Sequence, residues 1–311
     1  MKEQLKGVVV RTGGASYIVE CDDGRLVRCR TVSGTVSENE GASLVAVGDR
    51  VTFRPKSSGT DMPEGVIDHV EHRTSALVRR RDVRRNRSKE QEQVIAGNID
   101  QLVVVSSADD PPLNRRLIDR YLAFAESEHL PMLLVVNKTD LADQAKLDEE
   151  LETYRQLGCT ICCVSAARRT GLDELREQLR GKVSAFSGHS GVGKSTLINL
   201  IVGRRELKTA RISWKTGKGV HTTSSATMLR LPEGGYVIDT PGIREFNLSG
   251  ITRENLRFYF TEFLGFMPEC SFSSCTHTVE PGCAVLHAAE TGAIDPERYE
   301  SYLTLYDTLE G

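Results

Sequence analysis

The densest chemistry in the chain is Gly188-His189-Ser190-Gly191-Val192-Gly193-Lys194-Ser195, followed by Thr196. Its Gly-x-x-x-x-Gly-Lys-Ser spacing is that of a phosphate-binding loop. Glycines let backbone N–H groups close around a polyphosphate, and the positive end of a following helix favours the anion. Lys194 would reach the β- and γ-phosphates, and the Ser195 hydroxyl would hold Mg2+. The apolar run Val183 to Phe186 reads as the strand before the loop, and Thr196 to Val202 as the helix after it. The bland alternative is a glycine-rich turn with no ligand, which needs neither flank.

Asn137-Lys138-Thr139-Asp140 follows a second apolar run, Met132 to Val136. The Asp140 carboxylate can accept from both the ring N–H and the exocyclic amine of guanine, a pair of donors adenine does not offer. Asn137 can bond the surrounding loop and the base edge, and the Lys138 stem can cover the ring. Asn and Asp also cap helices that follow strands, so these residues gain weight from the phosphate loop in the same sheet. After the next strand, Ser165-Ala166 stands where a backbone N–H could meet the guanine carbonyl. Further on, Tyr236 to Asp239 is a strand that leads into Asp239-Thr240-Pro241-Gly242. There Asp239 can hold Mg2+ through water, and the Gly242 N–H can sense a γ-phosphate. Between the two lies Gly217 to Thr223, with His221 and the hydroxyls of Thr222 and Thr223, either of which could reach Mg2+. Such a segment is ordered by a triphosphate and released on its hydrolysis.

In ordinary GTPases the phosphate loop, the switch threonine and Asp-x-x-Gly all precede Asn-Lys-x-Asp. Here the guanine box comes first, so the sequence reads as a circularly permuted GTPase. Joining old termini and reopening the chain elsewhere preserves the sheet, because termini lie at the surface. The segment after Gly242 is then tied directly to whatever follows, so switch motion can pull on a C-terminal domain. Ile243 stands where many GTPases carry a water-orienting glutamine. An apolar side chain cannot orient water, which leaves His221 as the candidate; an exposed histidine with no role is the alternative. Gly191 stands where potassium-activated GTPases carry asparagine, so potassium dependence has no support.

Cys270, Cys275, His277 and Cys283 place three thiols and one imidazole within fourteen residues. That donor set suits one closed, structural Zn2+ site; free cysteines in a small helical core are the alternative. His287 on the next helix reads as surface or core. Cys159, Cys162 and Cys163 read as small core hydrophobes, since alternate strand residues face opposite ways. Thr252 to Leu264, Ala284 to Glu290 and Pro296 to Leu309 read as helices, the last with Asp295 as N-cap and Pro296 in its first turn.

The remaining elements must hold these groups. From Asn98 onward, strands alternate with helices (Asn114 to Glu128, Leu147 to Leu157, Gly171 to Leu179), which implies a parallel sheet covered on both faces. Residues 1 to 72 instead contain five short alternating runs separated by Gly13-Gly14, Asp22-Asp23-Gly24 and Gly48-Asp49. This fits a small closed barrel such as an OB-fold, a type that often binds RNA. Next come Arg73, Arg79, Arg80, Arg81, Arg84, Arg85, Arg87 and Lys89. They suit a phosphate backbone and unpaired bases, or else form a solvated linker. The expected organisation is a multidomain chain: an all-β OB-fold barrel (1–72), a basic linker (73–95), a permuted α/β P-loop domain (96–248) and a mainly α zinc-binding domain (249–311).

Composition narrows the classes. With 39% hydrophobic residues, 27% charged and a net charge of −3, the chain is an ordinary globular one, so any nucleic-acid contact must come from a local patch. No run approaches the roughly 18 apolar residues of a membrane span, and the first residues lack a secretory signal. A cytoplasmic protein without membrane contact is expected.

Together these motifs make the chain resemble the ribosome small subunit-dependent GTPase A family over essentially its whole length. Asn-Lys-Thr-Asp, Gly-His-Ser-Gly-Val-Gly-Lys-Ser, Asp-Thr-Pro-Gly, the cysteine–histidine spacing and the turn Val47-Gly48-Asp49-Arg50-Val51 carry the resemblance. It implies GTP hydrolysis to GDP and phosphate, Mg2+ with the nucleotide, and late maturation of the bacterial small ribosomal subunit. It further implies rRNA contact, stimulation of hydrolysis by that subunit, and release of the factor, acting as a monomer. Two other classes stay open: an RNA-binding scaffold with a vestigial nucleotide site, and an ATP-dependent kinase or ATPase on the same loop. Intact Lys194, Ser195, Asp239 and Asp140 speak against the first, and competition between ATP and GTP tests the second.

Overall fold

Alternation decides the first seventy residues. In the computed structural model, which describes residues 4–14, 16–39, 43–56, 62–79, 93–203, 226–239 and 250–309, five strands form there. They are β1 (Leu5–Gly13), β2 (Ser16–Cys21), β3 (Leu26–Ser37), β4 (Arg50–Lys56) and β5 (Glu64–Val70). Their inward residues, among them Val9, Val19, Cys29, Phe53 and Ile67, form one dry core. Strand order is β1-β2-β3-β5-β4, and β4 pairs back onto β1, so the sheet closes into a barrel. Closure removes the free edges that would otherwise invite association.

One turn shows how tightly the barrel is tied down. Gly48 has φ +88°, and a Cβ there would lie 2.1 Å from the Gly97 carbonyl oxygen. Only glycine fits such a left-handed, close-packed position. The turn lets Asp49 point inward, where it is fully buried and receives the Arg73 guanidinium at 2.7 and 2.8 Å. Arg73 is itself buried and also donates to the Ser43 carbonyl at 2.9 Å. Arg73 is therefore a structural residue, not part of a basic surface: the turn two dozen residues upstream supplies its counter-charge.

The segment read as a linker begins and ends in strands, β6 (Ala76–Arg79) and β7 (Gln93–Gly97), paired antiparallel. Arg80, Arg81, Arg84, Arg85, Arg87 and Lys89 lie outside the described residues.

The rest alternates strand and helix: β8 (Gln101–Ser107), α1 (Arg115–Ser127), β9 (Met132–Asn137), α2 (Gln144–Gln156), β10 (Thr160–Cys163), α3 (Leu172–Leu179), β11 (Val183–Gly188), α4 (Lys194–Val202), β12 (Thr227–Arg230) and β13 (Tyr236–Asp239). The chain divides into two compact units: Met1–Gln101 with Arg176–Ser187 and Ser195–Ser249, and Leu102–Leu175 with Gly188–Lys194 and Gly250–Gly311. In the first unit β11 and β13 pair in parallel, and β12 runs antiparallel between β13 and β1 of the barrel. In the second, β10, β9 and β8 pair in parallel. Every residue of β8 is buried, as expected of a parallel strand covered on both faces. Cys162 is buried there, while Cys159 and Cys163 are half-buried.

At the C-terminal end, α5 (Ala284–Glu290) and α6 (Pro296–Thr308) form where capping chemistry places them. Asp295 accepts from the backbone N–H groups of Glu297 and Arg298, and Pro296 stands in the first turn. The helix expected over Thr252 to Leu264 does not form. Short 3-10 turns at Leu256–Tyr259 and Thr261–Phe263 replace it, and a third follows at Met267–Glu269. The Asn255 side chain bonds the Thr252 N–H and the Gly250 carbonyl, a local alternative to helical bonding. The turns still bury Leu256, Phe260 and Phe263, with both phenylalanine rings edge-on to Tyr302 at 5.2 and 4.9 Å. Among the described residues no helix is long and apolar enough to cross a membrane.

Candidate functional site

In the second unit the guanine box, the Ser165-Ala166 loop and the phosphate loop meet around one amide. Asn137, buried at the end of β9, donates from Nδ2 to the Val192 carbonyl at 2.8 Å. Its Oδ1 accepts from the Ala166 N–H at 3.0 Å. Gly193 has φ +89°, and a Cβ there would come 2.3 Å from that same Nδ2. A side chain at Gly193 would thus break the brace and strain the backbone. Asn137 spends its amide on architecture; the sequence offered it a part in reading the base edge as well.

Asp140 is fixed in place. The Ser165 hydroxyl donates to its Oδ1 at 2.5 Å while accepting from the Arg168 N–H at 3.0 Å. Thr139 anchors the same turn through its N–H and hydroxyl, both donating to the Val164 carbonyl at 3.3 and 3.1 Å. Lys138 adopts a left-handed conformation, φ +63°, and its ammonium donates to the Asp110 carbonyl. His189, Ser190 and Gly191 are exposed, Val192 is buried, and Gly188, Gly193 and Lys194 are half-buried. The loop is thus open to solvent at His189–Gly191 and anchored through the buried Val192.

In the first unit, Ser195 and Thr196 stand in the first turn of α4, and Asp239 ends β13 opposite Phe186 of β11. Asp239 is buried and Ser195 half-buried. His221, Thr222, Thr223, Gly242 and Ile243 lie outside the described residues.

The second unit also holds a cluster of residues that could bind a metal ion. The ligand atoms of Cys270, Cys275, His277 and Cys283 all lie within 4.8 Å of one another. His277 Nδ1 stands 3.7 Å from Cys270 Sγ and 3.4 Å from Cys283 Sγ. Tetrahedral bonds of about 2.3 Å to sulfur and 2.0–2.1 Å to nitrogen place such atoms about 3.6 Å apart, so the cluster fits a single ion. Burial pushes the Cys275 thiol up to about 12 and also raises Cys283, while it lowers His277 and keeps the imidazole neutral. His287 is exposed, away from the ligand set.

Three supports that the sequence did not reveal shape this cluster. The Glu280 carboxylate accepts from the N–H groups of Thr276, Thr278 and Val279 at 2.7, 3.0 and 3.2 Å and from the Thr276 hydroxyl at 2.5 Å. From α6, the Tyr299 hydroxyl donates to the His277 carbonyl at 2.7 Å and the Tyr302 hydroxyl to the Thr276 carbonyl at 2.5 Å. Arg257 donates to the Cys275 carbonyl at 2.5 Å. The two tyrosines are spaced i, i+3, which would have marked a shared helix face but not its partner.

Comparison with known proteins agrees with this geometry. Residues 70–249 match the family model described as RsgA GTPase. The chain is 72% identical over 309 residues to the small ribosomal subunit biogenesis GTPase RsgA of Chlorobaculum tepidum, covering 99% of each protein. It is 40% identical to the protein of that name from Bacteroides fragilis, over 98% of this chain and 97% of the relative. The crystal structure of YjeQ from Thermotoga maritima superposes with a TM-score of 0.74 at 33% identity, covering 98% of each chain. YloQ, a circularly permuted GTPase, matches in fold with a TM-score of 0.71 at 23% identity, over 98% of this chain and 94% of that one.

Proposed function

Because the chain belongs to the RsgA GTPase family, we propose that it hydrolyses GTP to GDP and phosphate as a late maturation factor of the small ribosomal subunit. The observation that carries this reading is the Asn137 brace, which joins the guanine box, Ser165-Ala166 and the phosphate loop into one site. Asp140 reads the guanine ring N–H and amine, with the Ala166 loop beside its carbonyl. Gly188 to Gly193 wrap the phosphates, and Lys194 and Thr196 complete the contact. Ser195, Thr223 or Thr222 and, through water, Asp239 would hold Mg2+, which would neutralise phosphate charge. Gly242 senses the γ-phosphate.

The small subunit and its rRNA are the partners. The barrel and the arginines after Arg73 supply the RNA contact, and subunit-stimulated hydrolysis releases the factor. Cys270, Cys275, His277 and Cys283 hold one structural Zn2+, a reading supported by their closed, buried, sulfur-rich set. The place of action is the cytoplasm, with no membrane contact.

The test is GTP turnover by the purified chain with and without small subunits. Intrinsic turnover of about 10⁻⁴ to 10⁻² per second that rises sharply with subunits is expected. Absence of turnover in both arms would leave only a binding module. Competition between ATP and GTP, repeated with Asp140→Asn, checks the base: the variant should lose its preference for GTP.

A further inference from the structure

Asp119 lies on α1 with no exposed surface, and its Oδ1 accepts from Arg298 Nη1 of α6 at 2.8 Å. Its Oδ2 is buried without a partner. Arg298 is 2% exposed, donates from Nε to Glu262 at 2.6 Å, and lies over the Phe260 ring at 4.4 Å. One guanidinium thus balances two carboxylates, and removing it leaves both uncompensated. One turn earlier on α1, Arg115 reaches Asp295 at 2.5 Å and Glu297 at 2.7 Å, and Asp295 is also the N-cap of α6. The two helices are therefore pinned to each other at two levels.

Each helix is tied at its other side to one of the two sites. The loop that leads into α1 supplies the Asp110 carbonyl to Lys138, and Pro111 packs 3.6 Å from where a Cβ on Gly191 would stand. Ser107 at the end of β8 holds that loop by donating to the Pro111 carbonyl at 2.6 Å. A cavity of about 560 Å³ is lined jointly by His189 and Val192, by Arg115 and Leu117 of α1, and by Glu300 and Ser301 of α6. On the side of the cluster, α6 holds the carbonyls of His277 and Thr276 through Tyr299 and Tyr302. The path from the cysteines runs through buried or half-buried hydrogen bonds on α6 and α1 and ends in the more exposed contact of Lys138 with the Asp110 carbonyl.

We infer that Arg298 is a positioning residue which makes guanine-nucleotide affinity depend on metal loading of the Cys270–Cys283 cluster. With an ion held by Cys270, Cys275, His277 and Cys283, the 270–283 loop would hold α6 through Tyr299 and Tyr302, and α6 would hold α1 through Arg298 and Arg115. The 108–113 loop is then held against Lys138 and Gly191. This rests on the metal reading of the cluster, which the same experiment checks separately.

The experiment titrates a fluorescent N-methylanthraniloyl GDP into the full chain, as purified, after chelation, and after return of Zn2+, with bound zinc measured by elemental analysis. Wild type should lose GDP affinity by about fivefold or more on metal removal and recover it with Zn2+. In Arg298→Met, zinc should still bind at one per chain while the metal-free to metal-loaded affinity ratio falls below about twofold. Arg298→Lys should restore part of the ratio. A variant that were only destabilised would lower melting temperature yet keep the wild-type ratio, and that result overturns the role of Arg298. An unchanged wild-type affinity after verified zinc loss overturns the coupling itself. A chain that neither carries nor takes up zinc refutes the metal reading instead. If Arg298→Met does not fold, Arg115→Gln, at the partly exposed end of the same interface, takes its place with the same expected drop in ratio.

Discussion

Asn137 Nδ2 donates to the Val192 carbonyl at 2.8 Å, so the residue that heads the guanine box is also the clamp on the phosphate loop. The two motifs are 55 positions apart in sequence, yet one amide sets their distance. Asn137→Ala leaves the Val192 carbonyl and the Ala166 N–H without their partners at a buried position. Leaving such groups unmade costs about 1–3 kcal/mol each. GDP and GTP affinity should fall together, by about tenfold or more, in isothermal titration. A variant that binds both nucleotides like wild type would show that the brace is dispensable.

The Arg73–Asp49 pair makes a prediction of a different kind. Arg73→Met strands the Asp49 carboxylate inside the barrel turn, and breaking a buried pair from one side costs about 3–5 kcal/mol. Thermal denaturation should show a clear loss of stability. The double variant Arg73→Met with Asp49→Asn should recover part of it, because the uncompensated charge is gone while an acceptor stays for the Ala46 N–H at 2.7 Å. RNA binding by the folded double variant should match wild type, since Arg73 faces inward; a loss of RNA affinity there would return Arg73 to the binding surface.

His221 is where the chemistry of hydrolysis is expected, because Ile243 cannot orient water. His221→Ala should lower subunit-stimulated GTP turnover by about a hundredfold and leave GTP affinity within about twofold of wild type. Stimulated turnover at the wild-type rate would sink the assignment.

These cases also mark what a single sequence reveals. The barrel strands, the parallel strands and the helix that begins at Pro296 were legible because each is fixed by local signals: alternation, an unbroken buried run, a capping aspartate. The nucleotide and metal motifs were legible because their chemistry demands fixed spacings. Arg73 was not, because its role depends on Asp49, brought to it only by the left-handed turn at Gly48. Asp119 and Arg298 were silent for the same reason: a charged residue on an amphipathic helix looks solvated until the helix that covers it is known. The stretch from Thr252 to Leu264 had helical composition, but the Asn255 side chain competes with the backbone there and divides it into 3-10 turns.

Glu280 makes the 270–283 loop sensitive to acid. Burial alone would raise its carboxyl, but the Thr276 hydroxyl and the N–H groups of Thr276 and Thr278 outweigh that and hold it at about 2, against 4.5 for an ordinary glutamate. A depressed pKa in the folded state means stability that is fully present above about pH 4.5 and lost as pH falls toward 2. Glu280→Gln keeps the shape but removes the charge, so it should be less stable than wild type at neutral pH. The difference between the two should shrink as pH drops through that window. Thiolate protonation also releases metal in acid, so the comparison belongs to the metal-free forms, followed by circular dichroism at fixed ionic strength. A stability difference independent of pH between 2 and 5 would mean that packing, not the carboxylate charge, carries the contribution of Glu280.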